Sequence, residues 1–189
     1  RLLPGDVRVH AVQVAADGFD ARFSALWRRY SYRICDDPVR ADPVHRRFTL
    51  WHPASLDPDL MNEAAAACLG EHDFAAFCRR RPGASTIRNL IRLDWHRHES
   101  GALIGTVIAD AFCHNMVRAL TGASLAVGDG RRPSGWLAEL LAAQVRNPGV
   151  TVAPPHPLCL EEVGYPPAAE LLARAQLTRR FRGAPEPVD

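Results

Sequence analysis

The residues with the clearest chemical potential lie in one stretch, Ala111-Phe112-Cys113-His114-Asn115-Met116-Val117-Arg118. An alternating strand over 102–110 runs into it, and an apolar-striped helix continues from it to about Val127. A strand that hands its chain to a helix puts the helix's first turn at the rim of a sheet. Free backbone N–H groups and the positive dipole end favour anions such as phosphate there. Arg118 lies just over one turn inside, so its guanidinium can reach back to the rim as a fixed, always-charged fork. The same pattern also fits a plain corner, with Phe112, Met116, Ala119 and Leu120 as core and Arg118 solvated.

A second group is Arg28-Arg29-Tyr30-Ser31-Tyr32-Arg33-Ile34, a strongly β-prone run. Alternation puts Arg28, Tyr30, Tyr32 and Ile34 on one face and Arg29, Ser31 and Arg33 on the other. Two tyrosines beside an arginine can stack bases and hold phosphates; they fit cross-strand packing in a core equally. A third group, Arg79-Arg80-Arg81-Pro82-Gly83-Ala84-Ser85-Thr86, is a basic loop that serves either as a solvated turn or as a phosphate grip. His96 and His98 share one strand face at metal-ligand spacing. No third ligand is evident, which leaves a solvent-facing pair.

The elements that must position these groups are legible in order. A strand is expected over 7–14, with a bulge between Ala11 and Val12, then the tyrosine strand, then a proline-rich loop with a short strand over 48–51. Asp57 and Pro58 start a helix whose stripe is Leu60, Met61, Ala64, Cys68 and Leu69, stopped by Gly70. A short helix is expected over 71–77. A hairpin follows, its first strand over 87–97 with Ile87, Ile91, Leu93 and Trp95 inward, turned by Glu99-Ser100-Gly101. After the corner helix, Ser134 is expected to cap a helix carrying Trp136, Leu137, Leu140 and Leu141. The run Pro154-Pro155-His156-Pro157 is a stiff linker to a strand over 158–165, and 168–182 is helical and basic. This order does not alternate as doubly wound folds do. It predicts an α+β domain with an antiparallel or mixed sheet and helices packed on one face.

Composition excludes several classes. No apolar run approaches the roughly 20 residues that span a bilayer, and no P-loop, dinucleotide fingerprint or nucleophile elbow is present. The five cysteines are scattered without a C-x-x-C, which predicts reduced, mostly buried thiols. All 23 basic residues are arginine. That total fits GC-rich coding, as does the wealth of Ala, Pro and Gly. The clustering of the arginines points instead to local anionic partners, nucleic acid first.

Six stretches together resemble the A-type tRNA pseudouridine synthases, which modify the anticodon arm. They are Leu2-Leu3-Pro4-Gly5-Asp6-Val7, Phe19-Asp20-Ala21-Arg22-Phe23-Ser24-Ala25, Arg28-Arg29-Tyr30-Ser31-Tyr32, Gly70-Glu71-His72-Asp73-Phe74, Ala109 through Arg118, and Leu158-Cys159-Leu160 to Gly164-Tyr165-Pro166. They run in family order. Pro157 stands where the family usually has glycine, and Arg79-Arg80-Arg81 is this chain's own style.

The resemblance implies a uridine isomerase acting on the tRNA anticodon stem-loop at positions 38–40, cytoplasmic and homodimeric, with no cofactor, metal or membrane. It implies that Tyr30 packs on the flipped uracil and that Arg118 pairs with an aspartate in an R-T-D segment upstream of the Leu-Pro-Gly-Asp stretch. That segment does not occur in this sequence, so the stretch alone is expected to be inactive. Arg28, Arg29, Arg79, Arg80, Arg81, Arg88, His114 and Asn115 become candidates for holding the RNA. Residues 1–36 are expected to carry strands shared with the absent N-terminal half, 37–170 the C-terminal synthase domain, and 171–189 a basic helical tail. The alternative is a non-catalytic RNA-binding or assembly module on the same fold.

Overall fold

The structure is a computed structural model that describes residues 3–79 and 83–181. Six strands form one sheet: β1 (Trp27–Cys35), β2 (Leu50–Trp51), β3 (Gly70–Asp73), β4 (Ile87–Arg97), β5 (Leu103–Ala109) and β6 (Leu158–Gly164). The order is β2-β1-β5-β4-β3, with β6 also against β1. The β6 strand pairs antiparallel with the first part of β1, while β2 pairs parallel with its last two residues. The β1–β5, β5–β4 and β4–β3 pairs are antiparallel. The helices are α1 (Pro58–Ala66), α2 (Met116–Gly128), α3 (Trp136–Ala143) and α4 (Leu171–Phe181). The expected α+β architecture with a mixed sheet is what forms.

Alternation along β5 explains the layering. Leu103, Gly105, Val107 and Ala109 are buried, while Ile104, Thr106 and Ile108 on the other face are only half-buried. Val107 and Ala109 join Leu90, Leu93, Ala64, Ala65, Met116, Leu120, Trp136 and Leu137 in one core, so α1, α2 and α3 cover a single face. Tyr32, Ile34, Trp95, Leu103, Met61 and Leu125 extend it toward β2. Gly105 is where the Trp95 indole lies flat on β5; a Cβ there would sit 2.5 Å from the ring. The α4 helix packs elsewhere, against the turn at 18–24, where Ser24 Oγ donates to Leu171 O (3.1 Å) and Arg179 pairs with Asp20 (2.6 Å).

Asp57 caps α1 as expected, accepting from the N–H groups of Asp59 and Leu60. Several other expectations fail, each for a stated reason. Residues 7–14 form no strand, and Val12 and Val14 stay 90% and 98% exposed, because alternation needs a neighbouring edge and none pairs with them among the described residues. The expected helix over 71–77 is β3 followed by a single 3-10 turn, Ala75–Phe77. Pairing of Gly70 to Asp73 with β4 outweighs local helix preference there. In β4 a bulge between Leu90 and Arg92 reverses the phase, so Ile87 and Ile91 are exposed while Arg88 is buried. Leu60 and Leu69 flank the α1 stripe and are exposed. Ser134 does not cap α3; its hydroxyl donates to Glu63 Oε1 at 2.7 Å.

Candidate active site

The corner between β5 and α2 is tied on three sides. Asp110 Oδ1 accepts from the N–H groups of Asn89 (3.0 Å) and Ala111 (2.7 Å), which fastens the end of β5 to β4 just before the bulge. Arg28 donates through Nη1 to Asp110 O (2.7 Å) and through Nη2 to Arg22 O (2.6 Å). Burial pulls the Arg28 guanidinium below its ordinary pKa, with Tyr165, Tyr30 and Asp110 opposing. On the third side Arg79 N–H donates to His114 O at 2.8 Å, and Cys78 is joined to Cys113.

The helix begins at Met116, later than the sequence suggests, because Asn115 takes a left-handed conformation (φ 69°) and no side chain caps the turn. Asparagine tolerates that region better than most residues, but it remains a strained state held by its surroundings. Arg118 is therefore in the first turn. Its Nε donates to Ala153 O at 2.5 Å, and Nη1 lies 3.5 Å from Asn115 Oδ1. Among the described residues no carboxylate is paired with it.

Tyr30, on the helix-covered face of β1, is half-buried and meets Phe112 edge to face, with ring centroids 5.2 Å apart. Tyr32 on the same face is fully buried, so it is core and offers no stacking surface. Its hydroxyl donates to Pro154 O (2.9 Å); burial pushes its pKa up while the Arg118 charge pulls the other way.

The structure thus pairs Tyr30 with Phe112 and Arg118 with Asn115, with His114 and Arg79 exposed. It places the others differently. Arg29 points to the opposite face and pairs with Glu162 at 2.8 Å. Arg88 is only 8% exposed; its Nη2 donates to Ser85 O (2.8 Å) and its Nη1 to Ile87 O, so it braces the basic loop from inside. Burial lowers its pKa, with the Asp110 charge opposing. Arg80 and Arg81 lie outside the described residues. A cleft of about 1070 Å³ runs from Cys78 along the loop, lined also by Asp73, Ser85, Thr86, Gln144 and Arg146. A smaller one of about 700 Å³, around Asp36 and Arg97, lies at the opposite end of the sheet.

The Cys78–Cys113 bond corrects the expectation of five free thiols. Cysteines 35 residues apart, with Cα atoms 5.7 Å apart, are close only in the fold, and neither parity nor a C-x-x-C spacing reveals them. Cys35 and Cys68 are buried, Cys159 is exposed, and burial pushes the Cys68 thiol up to about 12. Under denaturing, non-reducing conditions a thiol reagent is expected to count three cysteines, rising to five after reduction. Five without reductant would refute the pairing. His96 and His98 are both exposed, and His98 Nδ1 contacts Ser100 Oγ at 3.0 Å. Among the described residues no three His, Cys, Asp or Glu side chains gather as a metal site, and no helix is long and apolar enough to cross a membrane.

Sequence reasoning missed the segment at 151–154. The interior glycine of α2, Gly122, was its one signal, since glycine inside a helical pattern marks a close approach.

The profile of a family described as tRNA pseudouridine synthase matches residues 64–166. The relatives named tRNA pseudouridine synthase A include the following three. The protein from Streptomyces griseus is 60% identical over 184 residues, covering 97% of this chain and 65% of the relative. That from Frankia casuarinae is 56% identical, covering 96% and 66%, and that from Mycobacterium leprae is 50% identical, covering 97% and 64%. The chain spans just under two thirds of the length of these curated relatives. With more than half of its residues inside the matched profile, this chain belongs to the tRNA pseudouridine synthase family.

Proposed function

We propose that the full-length protein converts uridine to pseudouridine in the anticodon stem-loop of tRNA, at positions 38–40. The observation that carries this reading is Arg118: a half-buried guanidinium in the first turn of α2, anchored through Nε, with no carboxylate of its own among the described residues. The relatives' name supports tRNA as the substrate.

The chemistry requires that the base leave its stack, and Tyr30 supplies a face for the extruded uracil. Arg118 takes a carboxylate from the R-T-D segment, a sequence that does not occur among these 189 residues. A guanidinium fork keeps a partly buried carboxylate ionised and oriented. The N1–C1′ bond breaks, the base turns, C5 bonds to C1′, the C5 proton leaves and N1 gains one. The sum is an isomerisation that balances without a cofactor. His114, Asn115 and Arg79 face the backbone, with Arg80 and Arg81 as further candidate contacts, while Arg28 and Arg88 act by holding the corner and the loop. Residues 37–170 form the synthase domain together with β1, which pairs with β5, β6 and β2 in its sheet; the rest of 1–36 joins the remainder of the protein, and 171–189 are a basic tail. The enzyme works in the cytoplasm as a homodimer.

The test is pseudouridine formation by the full-length protein on tRNA with a uridine at 38, 39 or 40. Product at one or more of these supports the proposal. Salt-dependent binding without product overturns it in favour of a non-catalytic RNA-binding module. In the same binding series Arg79→Ala is expected to flatten the dependence of log affinity on log salt by about one unit, the share of one phosphate contact.

A further inference from the structure

The segment at 151–154 lies across α2 and is fastened to it from both directions. Arg118 Nε donates to Ala153 O at 2.5 Å, and Ala153 N–H donates back to Arg118 O at 3.0 Å. One turn on, Gly122 admits the strap onto the helix backbone: a Cβ at this position would lie 1.7 Å from Thr151 O. On the sheet side the Tyr32 hydroxyl donates to Pro154 O at 2.9 Å. Ala153 is 1% exposed, so the bond to Arg118 is shielded from water.

An arginine in the first turn of a helix ordinarily samples many rotamers, and that freedom is lost when its fork engages a carboxylate. Fixing Nε sets the plane of the guanidinium beforehand. It leaves the Nη1–Nη2 edge for a bidentate partner, with Asn115 Oδ1 at its margin (3.5 Å). We infer that residues 151–154, seated on Gly122 and held by Tyr32, are a positioning element that presets the Arg118 guanidinium before substrate arrives. Ala153, Gly122 and Tyr32 are positioning residues, since they act through Arg118 and not on the base. The catalytic consequence rests on the role proposed for Arg118 above; the anchoring itself does not.

Pre-organisation of this kind changes rate more than binding, because a misaligned fork still attracts RNA but no longer holds a carboxylate in its reactive orientation. Two variants of the full-length protein separate this from simple loss of fold. Tyr32→Phe removes one hydroxyl and keeps the ring in its core site. Gly122→Ala pushes the strap from the helix with a residue that favours helix by itself.

With arginine-selective nitrogen-15 labelling, the Arg118 Nε–H signal, assigned by its loss in Arg118→Lys, is expected to be sharp and slow to exchange. Exchange should quicken about tenfold in Tyr32→Phe and more in Gly122→Ala. Turnover should fall about tenfold in the glycine variant with KM for tRNA within about twofold, and this loss should vanish in an Arg118→Ala background, where nothing remains to be positioned. A wild-type Nε–H that exchanges as fast as free arginine overturns the anchoring. Protected exchange that both variants leave untouched overturns the role of the strap. If Arg118→Ala alone leaves turnover unchanged, the proposed site fails, while the exchange data still decide the anchoring.

Discussion

Arg118→Ala in the full-length protein is expected to lower turnover on tRNA by on the order of 10²–10³, while tRNA affinity changes by less than about threefold. The asymmetry follows from where this guanidinium sits. It is half-buried in the first turn of α2 and its Nε is taken by Ala153 O, whereas His114 and Arg79 are exposed. A rim arginine that touches phosphate contributes to every bound state alike. A buried fork that keeps a carboxylate ionised acts on the reacting centre, and so on kcat. Single-turnover rates beside equilibrium binding check the expectation. Equal losses in both would make Arg118 an ordinary RNA contact, and an unchanged rate would remove it from the site.

The second large effect concerns the opposite end of the sheet. Arg97→Ala is expected to destabilise the fold by about 3 kcal/mol at neutral pH, the low end for breaking a buried ion pair, because the Arg97 side chain is itself 37% exposed. The Asp36 side chain is only 2% exposed. It accepts from both Arg97 Nη atoms (2.5 and 2.8 Å) and from Leu56 N–H (2.8 Å), while Arg97 also donates to Leu56 O. Burial by itself would raise the Asp36 pKa; the Arg97 fork and the Leu56 N–H together bring it below the ordinary value.

A carboxyl lowered in the folded state contributes stability that is fully present above its unfolded pKa, about 4. That stability is lost as pH falls from there through the folded value. The penalty of Arg97→Ala should therefore be largest near pH 7 and shrink in acid, where Asp36 becomes protonated in both proteins. Urea unfolding at pH 7 and near pH 3 measures it. A penalty independent of pH would mean that the aliphatic stem of Arg97, not its charge, is what matters.

Much of this molecule was legible because it depends on neighbours in sequence. The Asp57-Pro58 start of α1 needs only local hydrogen bonding. The β4–β5 hairpin needs alternation and a turn, and the buried stripe of α2 needs helical periodicity. What went wrong did so at contacts between distant residues. Ile87, Ile91 and Arg88 changed faces because one bulge residue at Ile91 puts the first part of β4 out of phase with the Leu93–Trp95 part. Residues 71–73 became a strand because β4 offered them an edge. Residues 7–14 stayed irregular because no described strand did.

The site divides the same way. By itself the sequence determined which residues sit at the corner after β5, that Tyr30 shares a face with Tyr32 and Ile34, and to which family the order of motifs points. Those are properties of residue type, spacing and periodicity. Tertiary structure alone decided that Tyr32 is core, that Arg28 spends charge on the Asp110 carbonyl, that Cys78 meets Cys113, and that Arg118 is anchored by Ala153. The physical reason is range. The direction of the Arg118 guanidinium and the partner of the Cys78 thiol are set by groups 35 residues away, which no local pattern encodes.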